Sequence, residues 1–144
     1  MSERAYPAAP RVGVLAIARR GEKLLLVRRR NPPDAGKWGF PGGAQELGET
    51  VAAAAVRELA EETGVRAEPS GVLDVVDFIE RDEEGRVRFH YTLIAVLLAW
   101  CHGEGVAGDD ADELRWLTLV EVDALLASAS ERVGPIARKA LEGF

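Results

Sequence analysis

The sequence predicts an α/β domain in which a mixed β-sheet carries helices packed against it. Apolar runs of strand length, each bounded by turn residues, account for the sheet. One well-capped helix lies between the second and third of these runs, and two helical segments close the chain. Strands and helices alternate irregularly and hairpins intervene, which fits a mixed rather than a purely parallel sheet. At 144 residues the chain is one domain. A domain of that size buries about 70% of its unfolded surface, so the core needs no covalent staples.

Taken in order, residues 1–10 hold Pro7 and Pro10 among small residues and read as a flexible lead-in, with the domain proper spanning 11–144. Arg11–Ala18 is an apolar run of strand type. A turn at 19–22 leads into Lys23–Arg29, so the two are expected to pair as a hairpin. Asn31–Gly43 is rich in proline and glycine and reads as a loop with an exacting backbone. Thr50–Thr63 is the clearest helix: Thr50 suits an N-cap, alanines and Leu59 favour helix, and Gly64 stands where a left-handed residue ends one. Gly71–Glu80 and Arg86–Trp100 are strands joined by a charged turn. Val87, Phe89 and Tyr91 alternate with Arg86, Arg88 and His90, while the run from Leu93 is apolar on both faces and belongs at the sheet centre. A loop at 103–112, a short strand at 113–119 and helices at 120–127 and 133–141 complete the chain.

Composition excludes several classes. With 47% hydrophobic and 29% charged residues, the chain is neither disordered nor a membrane protein, and no apolar stretch approaches the roughly 18 residues of a span. The N-terminus lacks the apolar core of a signal peptide. A single cysteine, Cys101, excludes an internal disulfide framework and fits a reducing cytoplasm; beside Trp100 in an apolar run, it reads as a buried structural thiol. Net charge is −6, against stable nucleic-acid binding by the whole surface. Residues 1–40 carry nine Lys/Arg against three Asp/Glu, whereas 41–144 carry nine against twenty-one. A polyanion held through a divalent cation suits that division.

The chemistry concentrates between residues 38 and 65. Glu58, Glu61 and Glu62 fall at i, i+3 and i+4, hence on one helix face. They crowd the last turns, where both mutual repulsion and the helix dipole disfavour them. A segment chosen only for stability would avoid this, whereas Mg²⁺ or Mn²⁺ requires such oxygen-rich clusters and retains waters that a phosphate can replace. Ala52–Ala55 let the helix sit close to a sheet, and Pro41-Gly42-Gly43 forms a turn whose backbone can approach a metal or phosphate. Glu49, nine residues before Glu58, reaches the same centre if the loop folds back.

Gly43–Val65, GAQELGETVAAAAVRELAEETGV, resembles a complete Nudix box. Its fixed positions fall at Gly43, Glu49, Arg57, Glu58, Leu59, Glu61, Glu62, Gly64 and Val65, and every one matches. The resemblance implies a Nudix-type α/β/α sandwich with this helix packed on the sheet. It implies a hydrolase that cleaves a nucleoside diphosphate linked to another moiety by attack of water on phosphorus. It assigns Glu58, Glu61 and Glu62 and the Gly43 carbonyl to metal binding, Glu49 to the metal or its surroundings, and Arg57 to orienting a carboxylate. Glu61 is the in-box choice for the general base, with Glu58 the other carboxylate given a catalytic part. Asp109, Asp110 and Glu113 are alternatives outside the box, because that loop is acidic.

The box does not identify the substrate. Arg28 and Arg29, leading with Arg30 into the proline-rich loop, can pair with phosphate oxygens. Trp38 and Phe40 can stack on a base or pack beneath the loop. His90 and Tyr91 face opposite ways on one strand, so at most one lines a pocket. NPPDAGKWGFPGG, with AGDDADELRW at 107–116, resembles short bacterial and archaeal members described as ADP-ribose pyrophosphatases, which yield AMP and ribose 5-phosphate. The additional N-terminal domain of longer ADP-ribose enzymes is not seen, so dimer-dependent contacts are not assumed and a homodimer is left open. The expected partner is thus a small nucleotide. A nucleoside triphosphate or oxidised nucleotide is the alternative substrate, and a non-catalytic nucleotide sensor the remote one, disfavoured by the intact box.

Overall fold

A computed structural model describes residues 5–31, 34–108 and 111–142. Strands β1 (Arg11–Arg20) and β2 (Lys23–Arg29) are joined at Gly21, which adopts φ 61°, and pair where Arg19 meets Leu24. The expected hairpin is thus present, but β1 runs through Arg20 and finds its longest partner elsewhere. It pairs in parallel with β6 (Val87–His102) from Arg11↔Tyr91 to Arg19↔Ala99. The segment expected to be all loop contains two short strands, β3 (Trp38–Gly39) on β2 and β4 (Gly42–Ala44) on β1. Their backbone groups are satisfied by the sheet, which is how a glycine-rich segment holds a fixed shape.

β5 (Arg66–Arg81) starts five residues earlier than the sequence suggested and pairs along β6 as a long irregular hairpin. The strand order is β3-β2-β1-β6-β5, with β4 on β1 and β7 (Ala111–Leu117) on β2, a mixed sheet as expected. β6 lies between β1 and β5, and of the run from Leu93 it is Ala95, Val96 and Leu98 that are buried.

Period-two alternation in β1 and β2 sends side chains into two cores. Val14, Ala16, Ala18 and Leu25 face α1 (Val51–Thr63), meeting Ala54, Ala55 and Leu59, all fully buried. Ile17, Leu24 and Leu26 face the other way, against Val122 of α2 (Leu119–Ala124) and Ile136, Ala137 and Ala140 of α3 (Val133–Glu142). This is an α/β/α sandwich. Thr50 caps α1 by accepting from Ala53 N–H at 3.0 Å, and Gly64 ends it at φ 75° with its N–H donated to the Ala60 carbonyl.

Two expectations change. Cys101 is exposed, not buried. β6 pairs with β1 only as far as Ala99, so the Cys101 side chain projects beyond the covered part of the sheet. The lead-in is also tied down at Tyr6. Its N–H donates to the Arg88 carbonyl at 2.7 Å, its hydroxyl donates to Asp82 at 3.0 Å, and the Arg86 guanidinium lies 4.3 Å from its ring centre. No helix among the described residues is long and apolar enough to cross a membrane.

Candidate active site

The site forms where β4 meets α1. Antiparallel pairing of Val14 with Gly43 and Leu15 with Gly42 lays the Gly42–Gly43 backbone along β1, while the buried alanines bring α1 onto the same strand. Glu58 is thereby pressed against Gly43: a Cβ on that residue would stand 2.5–2.6 Å from all three atoms of the Glu58 carboxylate group. Glu62, one turn on, accepts the Gly42 N–H at 2.8 Å. Two carboxylates and a glycine turn therefore meet at one end of the helix.

Arg57 organises the rest. Its Nε and Nη2 donate to the two oxygens of Glu49 at 2.6 and 2.9 Å, folding the 45–49 loop back to the helix. Nη1 donates to Glu58 at 2.8 Å and to Glu61 at 3.2 Å, and Nη2 also reaches the Ala44 carbonyl at 3.0 Å. A planar donor fork suits this bridging, which lysine could not reproduce. Those two bonds, helped by the Glu46 N–H, hold the Glu49 carboxyl down at about 2, and the carboxylates in turn raise Arg57 above its ordinary value. Glu61 remains the most open of the set, its side chain 58% exposed against 15% for Glu58 and Glu49.

Among the described residues, no three acidic, histidine or cysteine side chains are gathered into an ion cage. Arg57 holds Glu58, Glu61 and Glu49 around itself instead. The donor set nevertheless fits a hard divalent cation: carboxylate oxygens and a backbone carbonyl on one helix end, with a glycine whose missing Cβ makes room for Glu58.

The other expected residues separate. Arg29 lines a cleft that opens beside Gly43, with Leu15, Phe40, Tyr91 and Arg132 among its walls. Arg28 instead stands 3.8 Å from Glu113. Glu113 pairs more closely with Arg115, at 2.6 Å, rather than with any group of the glycine turn. Arg30 pairs with Asp112 at 2.9 Å. Phe40, 3% exposed, and Trp38, 7% exposed, share one core; Phe40 also forms cleft wall, while the Arg115 guanidinium lies 5.2 Å from the Trp38 ring centre. Packing beneath the loop therefore describes Trp38. Asp109 and Asp110 lie outside the described residues. The loop before them docks on the end of α1, where Val106 N–H donates to the Thr63 carbonyl at 2.9 Å. A Cβ on Gly108 would meet the Glu62 carbonyl oxygen at 2.6 Å.

Sequence reasoning missed the far cleft wall. Arg132 and Phe78 meet there with the Asp34 and Ser130 pair, whose side chains are 2.8 Å apart. They come from three separate segments, Ser130 and Arg132 being two residues apart, and no motif marks them.

The NUDIX domain family, compared with the chain as a whole, matches residues 7–140. The chain belongs to the Nudix family. It is 40% identical over 110 residues to the "ADP-ribose pyrophosphatase" of Methanocaldococcus jannaschii, covering 76% of this Nudix chain and 63% of that protein. Less than two thirds of that relative's length is therefore spanned. It is 47% identical over 107 residues to the "Putative 8-oxo-dGTP diphosphatase 2" of Mycobacterium tuberculosis, covering 72% and 70% of the two chains. The fold is similar to the crystal structure of a MutT NUDIX hydrolase from Burkholderia pseudomallei, with a TM-score of 0.77, 31% identity and coverage of 90% and 97%.

Proposed function

We propose that this Nudix protein hydrolyses the diphosphate bond of ADP-ribose to give AMP and ribose 5-phosphate, with Mg²⁺ as the working ion and Mn²⁺ able to replace it. The observation that carries the reading is the glycine turn: Glu58 against Gly43 and Glu62 on Gly42 N–H, at the mouth of the cleft that Arg29 lines. Support for ADP-ribose comes from the name of the 40% identical relative and from the sequence on either side of the box.

Glu58, Glu61, Glu62 and the Gly43 carbonyl are the groups that would hold the ion. Bound there, it would neutralise the diphosphate oxygens and lower the pKa of the attacking water. The reaction adds a water oxygen to one phosphorus and breaks the bridging P–O bond. Glu61, exposed at the helix end, accepts the water's proton. Arg57 does no bond-making; it fixes Glu49 and Glu58 in place. Arg29 presents a guanidinium to phosphate oxygens in the cleft.

A second reading, hydrolysis of a nucleoside triphosphate or its oxidised form, is favoured by the 47% identical relative, 70% of which this chain spans. The test is metal-dependent turnover of both substrate classes, with Glu61→Gln and Glu62→Gln as controls. Loss of turnover in EDTA and in both variants supports the common chemistry. Full rates in either condition refute it.

A further inference from the structure

The last turn of α1 carries Glu61 and Glu62, and the carbonyls of a last turn have no partner within their own helix. The loop 103–108 covers this end. Val106 N–H donates to the Thr63 carbonyl at 2.9 Å. Gly105 sits between β7 and the end of the helix: a Cβ there would stand 2.9 Å from the Leu114 side chain and 3.2 Å from that of Val65. Gly108 lies on the Glu62 main chain, with only 2.6 Å between an added Cβ and the carbonyl oxygen. Glu62 is thus held twice, its carboxylate by the Gly42 N–H and its backbone by the loop.

A glycine-rich segment is costly to order, so the loop needs an anchor of its own. Two indoles fasten its near end. Trp100 Nε1–H donates to the Gly103 carbonyl and Trp116 Nε1–H to the Glu104 carbonyl, both at 2.8 Å. Both rings are half-buried and pack on the core that faces α1. Arg20, at the end of β1, completes the group. Its guanidinium carbon lies 4.1 Å from the centre of the Trp100 ring and 5.6 Å from that of Trp116. It also pairs with Glu104 at 2.9 Å, but the Glu104 side chain is 78% exposed, so water screens that pair and it adds little. Stacking and the indole bonds are the stronger ties. None of the three side chains lines the cleft. A device serving the sheet alone would need no contact with α1, yet this one ends on the main chain of a proposed metal ligand.

We infer that Arg20, Trp100 and Trp116 are positioning residues for the metal site: they clamp the loop 103–108 onto the last turn of α1 and so fix Glu62 against the glycine turn. The inference rests on the proposed binding of a divalent ion by Glu58, Glu61 and Glu62. It places part of the control of that ion in three residues outside the Nudix box.

Mn²⁺ binding to the full chain, measured by calorimetry without nucleotide and beside a thermal melt, tests the clamp. Arg20→Ala removes the stacked cation, Trp116→Phe keeps a ring but loses the N–H, and Gly108→Ala pushes the far end of the loop off Glu62. Each should weaken Mn²⁺ binding about tenfold, the loss expected when a group that orients a metal ligand is removed. Trp116→Phe combined with Gly108→Ala should weaken it no further than either alone, because both free the same loop. Val122→Ala, in the core on the other face of the sheet, should lower Tm and leave Mn²⁺ affinity unchanged. Wild-type affinity in all three loop and clamp variants, whatever their Tm, would overturn the inference and leave a purely structural role. An equal loss in Val122→Ala would also overturn it, as general loosening. Undiminished affinity in Glu62→Gln would overturn both the inference and the ion assignment beneath it. The predicted losses in a protein that hydrolyses neither substrate class would support the clamp and count against the proposed reaction alone.

Discussion

Gly43→Ala isolates the geometry of the glycine turn. Gly43 lies outside the left-handed region, so alanine meets no backbone strain there, and the effect is steric. The new Cβ would stand 2.5–2.6 Å from the Glu58 carboxylate. Ordinary carbon contacts begin near 3.5 Å, so the carboxylate must retreat by about 1 Å. That shift also stretches the 2.8 Å bond from Arg57. The carboxylate is the free end of a side chain and can swing, at a rotamer cost of about 0.5–1.5 kcal/mol, equivalent to a few degrees in Tm. Misplacement of a catalytic group by about 1 Å costs about 10²-fold in rate, or ~2.7 kcal/mol of barrier. Steady-state kcat/KM for ADP-ribose at saturating Mg²⁺, beside a thermal melt, checks both figures. A cooperative melt within a few degrees of wild type and about 10²-fold lower kcat/KM are expected. Near wild-type turnover would refute the role of this contact. Gly42→Ala is the contrasting case: its Cβ would collide with the Val14 carbonyl oxygen, a backbone atom that cannot swing aside. That variant should lose stability first, seen as a large fall in Tm.

The remaining expectations concern charge and core. The Glu49 carboxyl sits at about 2, below its unfolded value of 4.5, so its bond to Arg57 stabilises the fold fully above about pH 4.5 and is lost as pH falls through about 2. Acid titration followed by circular dichroism should show a shallower stability loss across that window in Glu49→Gln than in wild type. Glu62→Gln can still accept the Gly42 N–H, so its melt should match wild type while turnover falls by about 10²-fold. Leu59→Ala empties a fully buried position between α1 and the sheet and should cost about 2–5 kcal/mol, measured by urea unfolding.

The helix of the box was legible because everything that defines it is local. Thr50, Gly64 and the run of alanines act within a few residues, and the spacing of the three glutamates alone puts them on one face. The flanking sheet was legible in part: apolar runs gave the strands, but not the parallel pairing of β1 with β6, which joins segments some eighty residues apart. The short strands at Trp38–Gly39 and Gly42–Ala44 were hidden because glycine and proline disguise backbone that the sheet itself holds extended. Cys101 shows the limit of reading apolar runs, since the run continues past the residues that the two cores cover. Arg132 carries no local signature at all; its environment is made by Phe78, distant in sequence, and by the cleft.

The most direct measurement is a Mg²⁺-dependent hydrolysis panel with product identification. It would compare ADP-ribose, other nucleoside-diphosphate sugars, NADH, diadenosine polyphosphates, dNTPs and 8-oxo-dGTP. The expected result is the highest kcat/KM for ADP-ribose, with AMP and ribose 5-phosphate as products and no turnover in EDTA. A preference for a triphosphate with release of pyrophosphate would contradict the proposed substrate. Turnover that persists in EDTA would contradict the metal chemistry assigned to Glu58, Glu61 and Glu62.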